Sequence, residues 1–341
     1  MKYSSRFFLY APLALFLAIA LGVGANWWIA ASALSRQLDT LNGRPATPGA
    51  TLFFSSKRVT GFPFNLDVVF HDFRVEVATP HGPSSWRAES FALHALTYGR
   101  EQMLFEAAGK QMLTWSDLRG RRHALPFEIG EMHASAVTDA HGLARFDMVL
   151  IGLGSPALTA GKVELHARVN PSRDAIDIVA AADAVQPSRA LASPFGETLT
   201  QIRLNATATP AHSFATLRDA QARWEDSLEA WHKAGGMLRI TDLELSWERL
   251  SAMGRGTLSL DDRHAVQGLL DFKVAGIAAL LDSAERHHVL ASPNQGIAAA
   301  LLARAAKAGS NEAGLLGAVV VFHQRVVSVG DTPATTEEPL Y

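Results

Sequence analysis

The sequence predicts a mainly β protein: an antiparallel sheet, a few helices, and one N-terminal transmembrane helix. Three observations predict this fold. Short runs of apolar and polar residues alternate with period two over most of the chain. One long uncharged apolar segment lies near the N-terminus. The alternating runs are half-apolar, whereas the strands of parallel α/β sheets are solidly apolar.

The first element is the apolar segment, with residues 7–34 dense in Leu, Ala, Phe, Ile and Trp. About 20 such residues cross a bilayer as a helix. Lys2 and Arg6 precede it and no acid occurs before Asp39, which by the positive-inside rule leaves the N-terminus in the cytoplasm. Trp27 and Trp28 lie near the far end, where interfacial aromatics concentrate. The segment is longer than a signal-peptide core, so residues 1–35 read as an uncleaved anchor. Cleavage after a small-x-small triplet such as Val23-Gly24-Ala25 is the alternative. In either case the body is exported.

Residues 36–57 contain Asn42-Gly43-Arg44-Pro45 and Thr47-Pro48-Gly49 and read as a juxtamembrane linker. The β-rich body is expected over residues 58–330. Leu66, Val68 and Phe70 alternate with polar residues, as do Phe73, Val75 and Val77, with His71-Asp72 expected as a tight turn between them. The same pattern recurs at Val163–Val169, Leu243–Trp247, Leu258–Leu260 and Leu270–Val274. Phe214–Lys233 has the three- and four-residue apolar spacing of an amphipathic helix, closed by Gly235-Gly236. Ile277–Val289 and Ile297–Lys307 read as two more helices, Ala318–Val329 as one or two strands, and residues 331–341 as a polar tail.

Composition restricts the chemistry. The 341 residues carry a net charge of −2, without the basic excess expected of a nucleic-acid binder. The absence of cysteine excludes disulfides, thiolate metal sites and cysteine nucleophiles. No His-Glu-x-x-His accompanies the thirteen histidines, and the adjacent pair His287-His288 would diverge on a helix. The nearest string to a serine-hydrolase elbow, Gly152-Leu153-Gly154-Ser155-Pro156, has proline where a backbone N–H is needed. Arg119-Gly120-Arg121-Arg122-His123 reads as a solvated basic turn, with contact to lipid phosphates as the alternative. No catalytic, cofactor-binding or metal-ligating residue is nominated, and the chain is expected not to be an enzyme.

Val59-Thr60-Gly61-Phe62-Pro63-Phe64-Asn65-Leu66-Asp67-Val68 is distinctive, as Gly61 permits an unusual turn and Pro63 suits only a strand start or edge. Trp86-Arg87-Ala88, Phe91–Ala95, Leu258–Asp261, Gly268-Leu269-Leu270 and Val274-Ala275-Gly276 follow. This order resembles domain-of-unknown-function family 2125, membrane-anchored exported proteins of Gram-negative bacteria, and is distantly similar to AsmA-like envelope proteins. The resemblance implies an inner-membrane anchor and a periplasmic β body. Its AsmA-like side implies a curved, groove-forming sheet whose apolar inner surface holds lipid chains.

The expected function is therefore binding of lipid or another hydrophobic ligand, or envelope maintenance, with Phe70, Val75, Leu165, Leu245 and Phe272 as candidate groove-lining residues. Alternation alone fits a closed core equally well. The second reading is a scaffold for an envelope protein partner, docking through the amphipathic helix or a sheet edge.

Overall fold

The computed structural model describes residues 5–47, 49–79, 82–97, 101–117, 120–140, 142–188, 198–218, 223–248, 250–276 and 315–336. The helices expected at 277–289 and 297–307, with His287 and His288, lie outside these residues.

Helix α1 spans Ser5–Leu41 and is long and apolar enough to cross a membrane. Its residues from Tyr10 to Ile29 are largely exposed, whereas Ala30, Ala31 and Leu38 are buried against the body. A 20-residue protruding stretch is about 30 Å long, the thickness of a bilayer's hydrocarbon core.

The strands follow as β1 (Pro45–Thr47), β2 (Ala50–Phe53), β3 (Ser56–Thr60), β4 (Asn65–His71), β5 (Phe73–Val77), β6 (Ser84–Leu96), β7 (Gln102–Ser116), β8 (Arg122–Asp139), β9 (Gly142–Gly154), β10 (Leu158–Asn170), β11 (Ala175–Pro187) and β12 (Leu199–Thr209). After a 3-10 turn, Ala211–Arg218, and helix α2, Trp224–Lys233, come β13 (Met237–Trp247), β14 (Leu250–Leu260), β15 (Val266–Ala275), β16 (Leu315–His323), β17 (Val326–Val329) and β18 (Thr332–Thr336). From β6 to β18 each strand pairs antiparallel with the next, giving one open meander.

The start of the sheet corrects two expectations. Residues 45–57, read as linker, supply strands: β2 and β3 pair with β5 and β4 in a single register, Ala50↔Val77 through Thr60↔Asp67. Gly49, at φ 64°, lies at the turn between β1 and β2, while Leu52 and Phe54 pack into the core. His71-Asp72 is not a hairpin turn either. Both β4 and β5 run along the same edge of β6 in one register, Phe70↔Phe91 and Phe73↔Ala88, so the strand continues through a kink at Asp72, φ 53°. The hairpin tip is instead Gly61–Phe64. At the other end, Thr332–Thr336 of the expected polar tail forms β18 on β17.

The kink at Asp72 belongs to a line crossing the sheet through the neighbourhood of Glu89, Gly109, Gly130, Gly152, Gly161 and Ala184. Across it the buried positions jump by three: Phe70 and Phe73, Ala88 and Phe91, and Ile129 and Met132 all join one core. An extra residue inverts the alternation of a strand, so each neighbour must invert at the same level to keep its apolar side chains on the same face. Gly109 shows why small residues collect here: at φ 76° an added Cβ would lie 2.9 Å from the Glu89 carboxylate, which accepts the Lys110 N–H.

Helix formation at Phe214–Lys233 is only partly as expected. A 3-10 turn spans Ala211–Arg218, and α2 begins at Trp224. Trp231 is buried, stacked closely on Gly236 and beside Phe214, so the principal apolar residue of this helix is spent inside the protein.

Candidate functional site

Residues directly opposite each other in an antiparallel pair project to the same face. The registers therefore define rows running across the sheet. One row is Phe70, Phe91, Ala107, Met132, Leu150, Val163, Ala182, Ile202, Leu245, Ala252 and Val274. The next is Val68, Leu93, Phe105, Ala134, Met148, Leu165, Ala180, Leu204, Leu243, Gly254, Phe272 and Ala318. A third is Leu66, Ala95, Met103, Ala136, Phe146, Ala167, Ile178, Ala206, Ile240, Gly256, Leu270, Val320 and Val329. No polar residue interrupts any of the three.

Two buried clusters close the ends of this face. Near the N-terminus, Leu38 of α1 and Phe54 pack with Val68, Phe70, Phe73, Phe91 and Met132. Phe73 and Phe91 stack with ring centroids 4.0 Å apart, and Phe70 contacts both. Near the C-terminus, Val327 and Val329 pack with Ala206, Ile240, Leu270, Ala318 and Val320. Between them the face continues through Val163, Leu165, Ala167, Ile178, Ala180, Ala182, Ile202 and Leu245, all only half-buried. From β10 to β13 this central stretch is about 14 Å across, at ~4.8 Å per strand.

The five candidate lining residues thus share one face but not one role. Phe70 is a core residue at 3% exposure, with Val75 packed against the same cluster. Phe272 also serves its own sheet: its ring covers Gly254, where a Cβ would lie 2.5 Å from the ring. Aromatic cover of a strand glycine makes good the packing that the missing side chain forgoes. Leu165 and Leu245 lie on the half-buried central stretch. The contiguous rows were not legible in the sequence, because they require the registers of many pairings.

The motif Gly61, Phe62, Pro63, Phe64 forms the tip of the β3–β4 hairpin, beside α1. Gly61 has φ 95°, and a Cβ there would lie 2.6 Å from the Asp67 carboxylate and 2.7 Å from the Asn65 carbonyl. The tip is braced by Asn65 N–H donating to Gly61 O at 2.8 Å and by Thr97 donating to Phe64 O from both N–H and hydroxyl, each at 3.0 Å. Phe62 and Phe64 nevertheless point outward, 63% and 57% exposed.

A model of the family described as "Uncharacterized protein conserved in bacteria (DUF2125)" matches residues 27–336. The chain belongs to this family. The match begins at Trp27, on the last protruding turns of α1, and runs to the end of β18. No curated protein matches the chain, and no solved structure does.

The opposite face of this DUF2125 protein is mixed, with charged and histidine side chains interspersed among exposed Val69, Leu104, Val179 and Met253. His94 sits between Asp67, 2.8 Å from Nδ1, and Glu106, 3.3 Å from Nε2. His133 reaches Glu106 and Glu131 at 3.5 Å. Asp147 contacts Arg145 at 2.6 Å and His166 at 2.8 Å. Burial pushes the Asp147 pKa upward, but the hydrogen bonds from His166 and Arg145 outweigh it and hold the carboxyl below its ordinary range. Lys162 does the same for Glu164 through a direct hydrogen bond. Among the described residues no His, Asp and Glu side chains converge as a metal site.

The remaining sequence candidates take structural places. Ser155 is a turn residue whose hydroxyl donates to Leu158 O and accepts from the Ala157 and Leu158 N–H groups. In the basic cluster, Asp117 engages both Arg121 and His123, and His123 stacks on Trp115. Arg119 lies outside the described residues. This cluster joins the ends of β7 and β8 remote from the Gly61–Phe64 tip. Met103 to Ser116 alone extends about 45 Å at ~3.4 Å per residue.

Proposed function

We propose that this is a non-enzymatic inner-membrane protein with its N-terminus in the cytoplasm and its β body in the periplasm, and that the body binds lipid acyl chains on the central stretch of its apolar sheet face. The observation carrying this reading is the set of three unbroken apolar rows whose middle, around Leu165, Ile178 and Leu245, is half-buried while both ends are closed. Monomeric soluble proteins rarely leave wide contiguous apolar surface in water, and such surface marks a ligand or membrane site. The anchoring helix supports a lipidic ligand over other apolar molecules, because it keeps the body beside a bilayer. The resemblance to AsmA-like envelope proteins points the same way as an analogy of fold.

The test is lipid analysis of the full-length protein extracted in mild detergent. Wild type is expected to retain phospholipid, and a Leu165→Asp/Leu245→Asp double variant with an unchanged far-ultraviolet spectrum is expected to lose it. Folded wild type carrying no lipid, or a variant retaining as much as wild type, overturns the reading. A defined protein cross-linked to the same face in native membranes would favour the scaffold instead.

A further inference from the structure

We infer that the Gly61–Phe64 hairpin tip is a second membrane contact, inserting Phe62 and Phe64 into the interfacial layer of the bilayer that α1 crosses. This inference rests on reading α1 as a membrane anchor and is independent of lipid binding by the sheet face.

Three features carry it. The tip carries two aromatic rings more than half exposed, although the same hairpin buries Val68 and Phe70 fully. Its backbone is fixed: Gly61 occupies a conformation that residues with a side chain rarely adopt, and the Asn65 and Thr97 hydrogen bonds brace it. The outward rings are thus held in place.

Position identifies the occupant. Phe62 meets Trp27 edge-on, with centroids 5.6 Å apart and planes at 82°, and its ring reaches Gly24. The protruding part of α1 ends at Ile29, and Gly24 lies five residues, about 7.5 Å, further toward its N-terminus. If α1 spans the bilayer, Phe62 stands at the depth where aromatic belts and interfacial segments reside. Trp28, 67% exposed, adds to the same belt. Among these tip residues there is no charged side chain to oppose insertion. The contact would hold the hairpin and the body at a fixed angle to the membrane, which one helix alone does not do.

The absence of native cysteine makes the test clean. Full-length F62C and F64C, each labelled with an environment-sensitive fluorophore, are reconstituted into phosphatidylcholine/phosphatidylglycerol vesicles. Brominated acyl chains and aqueous iodide serve as quenchers. L17C in α1 and R122C at the far end of β8 are the references. Both tip labels are expected to be quenched by brominated lipid about threefold or more above R122C, and to be protected from iodide. Iodide quenching equal to R122C, or shielding from both quenchers, overturns the inference. Lipid quenching absent at L17C as well would locate the failure in the anchor reading. F64C, which leaves the Trp27–Phe62 contact intact, keeps the test decisive if F62C disturbs folding.

Discussion

The indole N–H of Trp27 donates to the backbone carbonyl of Asn65 across 2.8 Å, tying the last protruding turns of α1 to the first residue of β4. A bond to the backbone fixes the hairpin tip itself, and Ala30, Ala31 and Leu66 pack immediately beyond it. The body therefore hangs from the helix by a braced joint. Asp39 and Lys57 add an ion pair near the helix end, where Lys57 also lies over the Phe54 ring.

Trp27→Phe keeps an aromatic ring beside Phe62 but removes that donor. The net loss should be about 1 kcal/mol. Thermal unfolding in detergent is expected to show a midpoint lower by roughly 2–4 °C. An unchanged midpoint would mean that the joint contributes nothing to stability.

Gly61→Ala should cost more. The φ of 95° is unfavourable for alanine, and its Cβ would meet the Asn65 carbonyl and Asp67 carboxylate well inside contact distance. A loss of about 2 kcal/mol or more is expected, read as a lower denaturant midpoint with unchanged slope.

Two truncations on the same face separate its closed end from its half-open middle. Val68→Ala removes two methyl groups from a site with no exposure and should cost about 2 kcal/mol. Leu165→Ala removes more atoms from a half-buried site, yet is expected to cost only about 1 kcal/mol, because part of that surface already meets solvent. Equal or reversed costs in chemical denaturation would show that the middle is as tightly packed as the end.

Asp147→Asn tests the opposite, mixed face. The Asp147 pKa is lowered in the folded protein, so its contribution is present above the unfolded value near 3.8 and lost as pH falls through the lower folded value. At pH 7 the variant should be about 1 kcal/mol less stable than wild type. The gap should close as pH falls through the folded-state value, where the wild-type carboxyl takes up its proton. A gap independent of pH would assign the effect to packing.

Much of this architecture is readable in the one-dimensional pattern. An uncharged apolar run of membrane length needs no tertiary context, since the bilayer sets its length. Leu66, Val68 and Phe70 alternate because one face of their strand is buried, so strand type was legible there. His71-Asp72 misled because polar residues between two alternating runs look the same whether the chain reverses or only inverts its phase. The stretch from Pro45 to Lys57 misled because short strands between proline and glycine carry too few residues to show a period.

The sequence alone determines an apolar helix of membrane-spanning length, the β character of the body, the absence of cysteine chemistry and the unusual turn at Gly61. The tertiary structure decides which apolar residues meet. Phe70 and Leu165 have the same local signature, yet one is sealed under Leu38, Phe54 and Phe91 while the other lies half-buried on the central face. Alternation reports which side of its own strand a residue occupies. Whether that side is covered depends on elements distant in the chain, on the register of every intervening pair, and on kinks that must align from strand to strand.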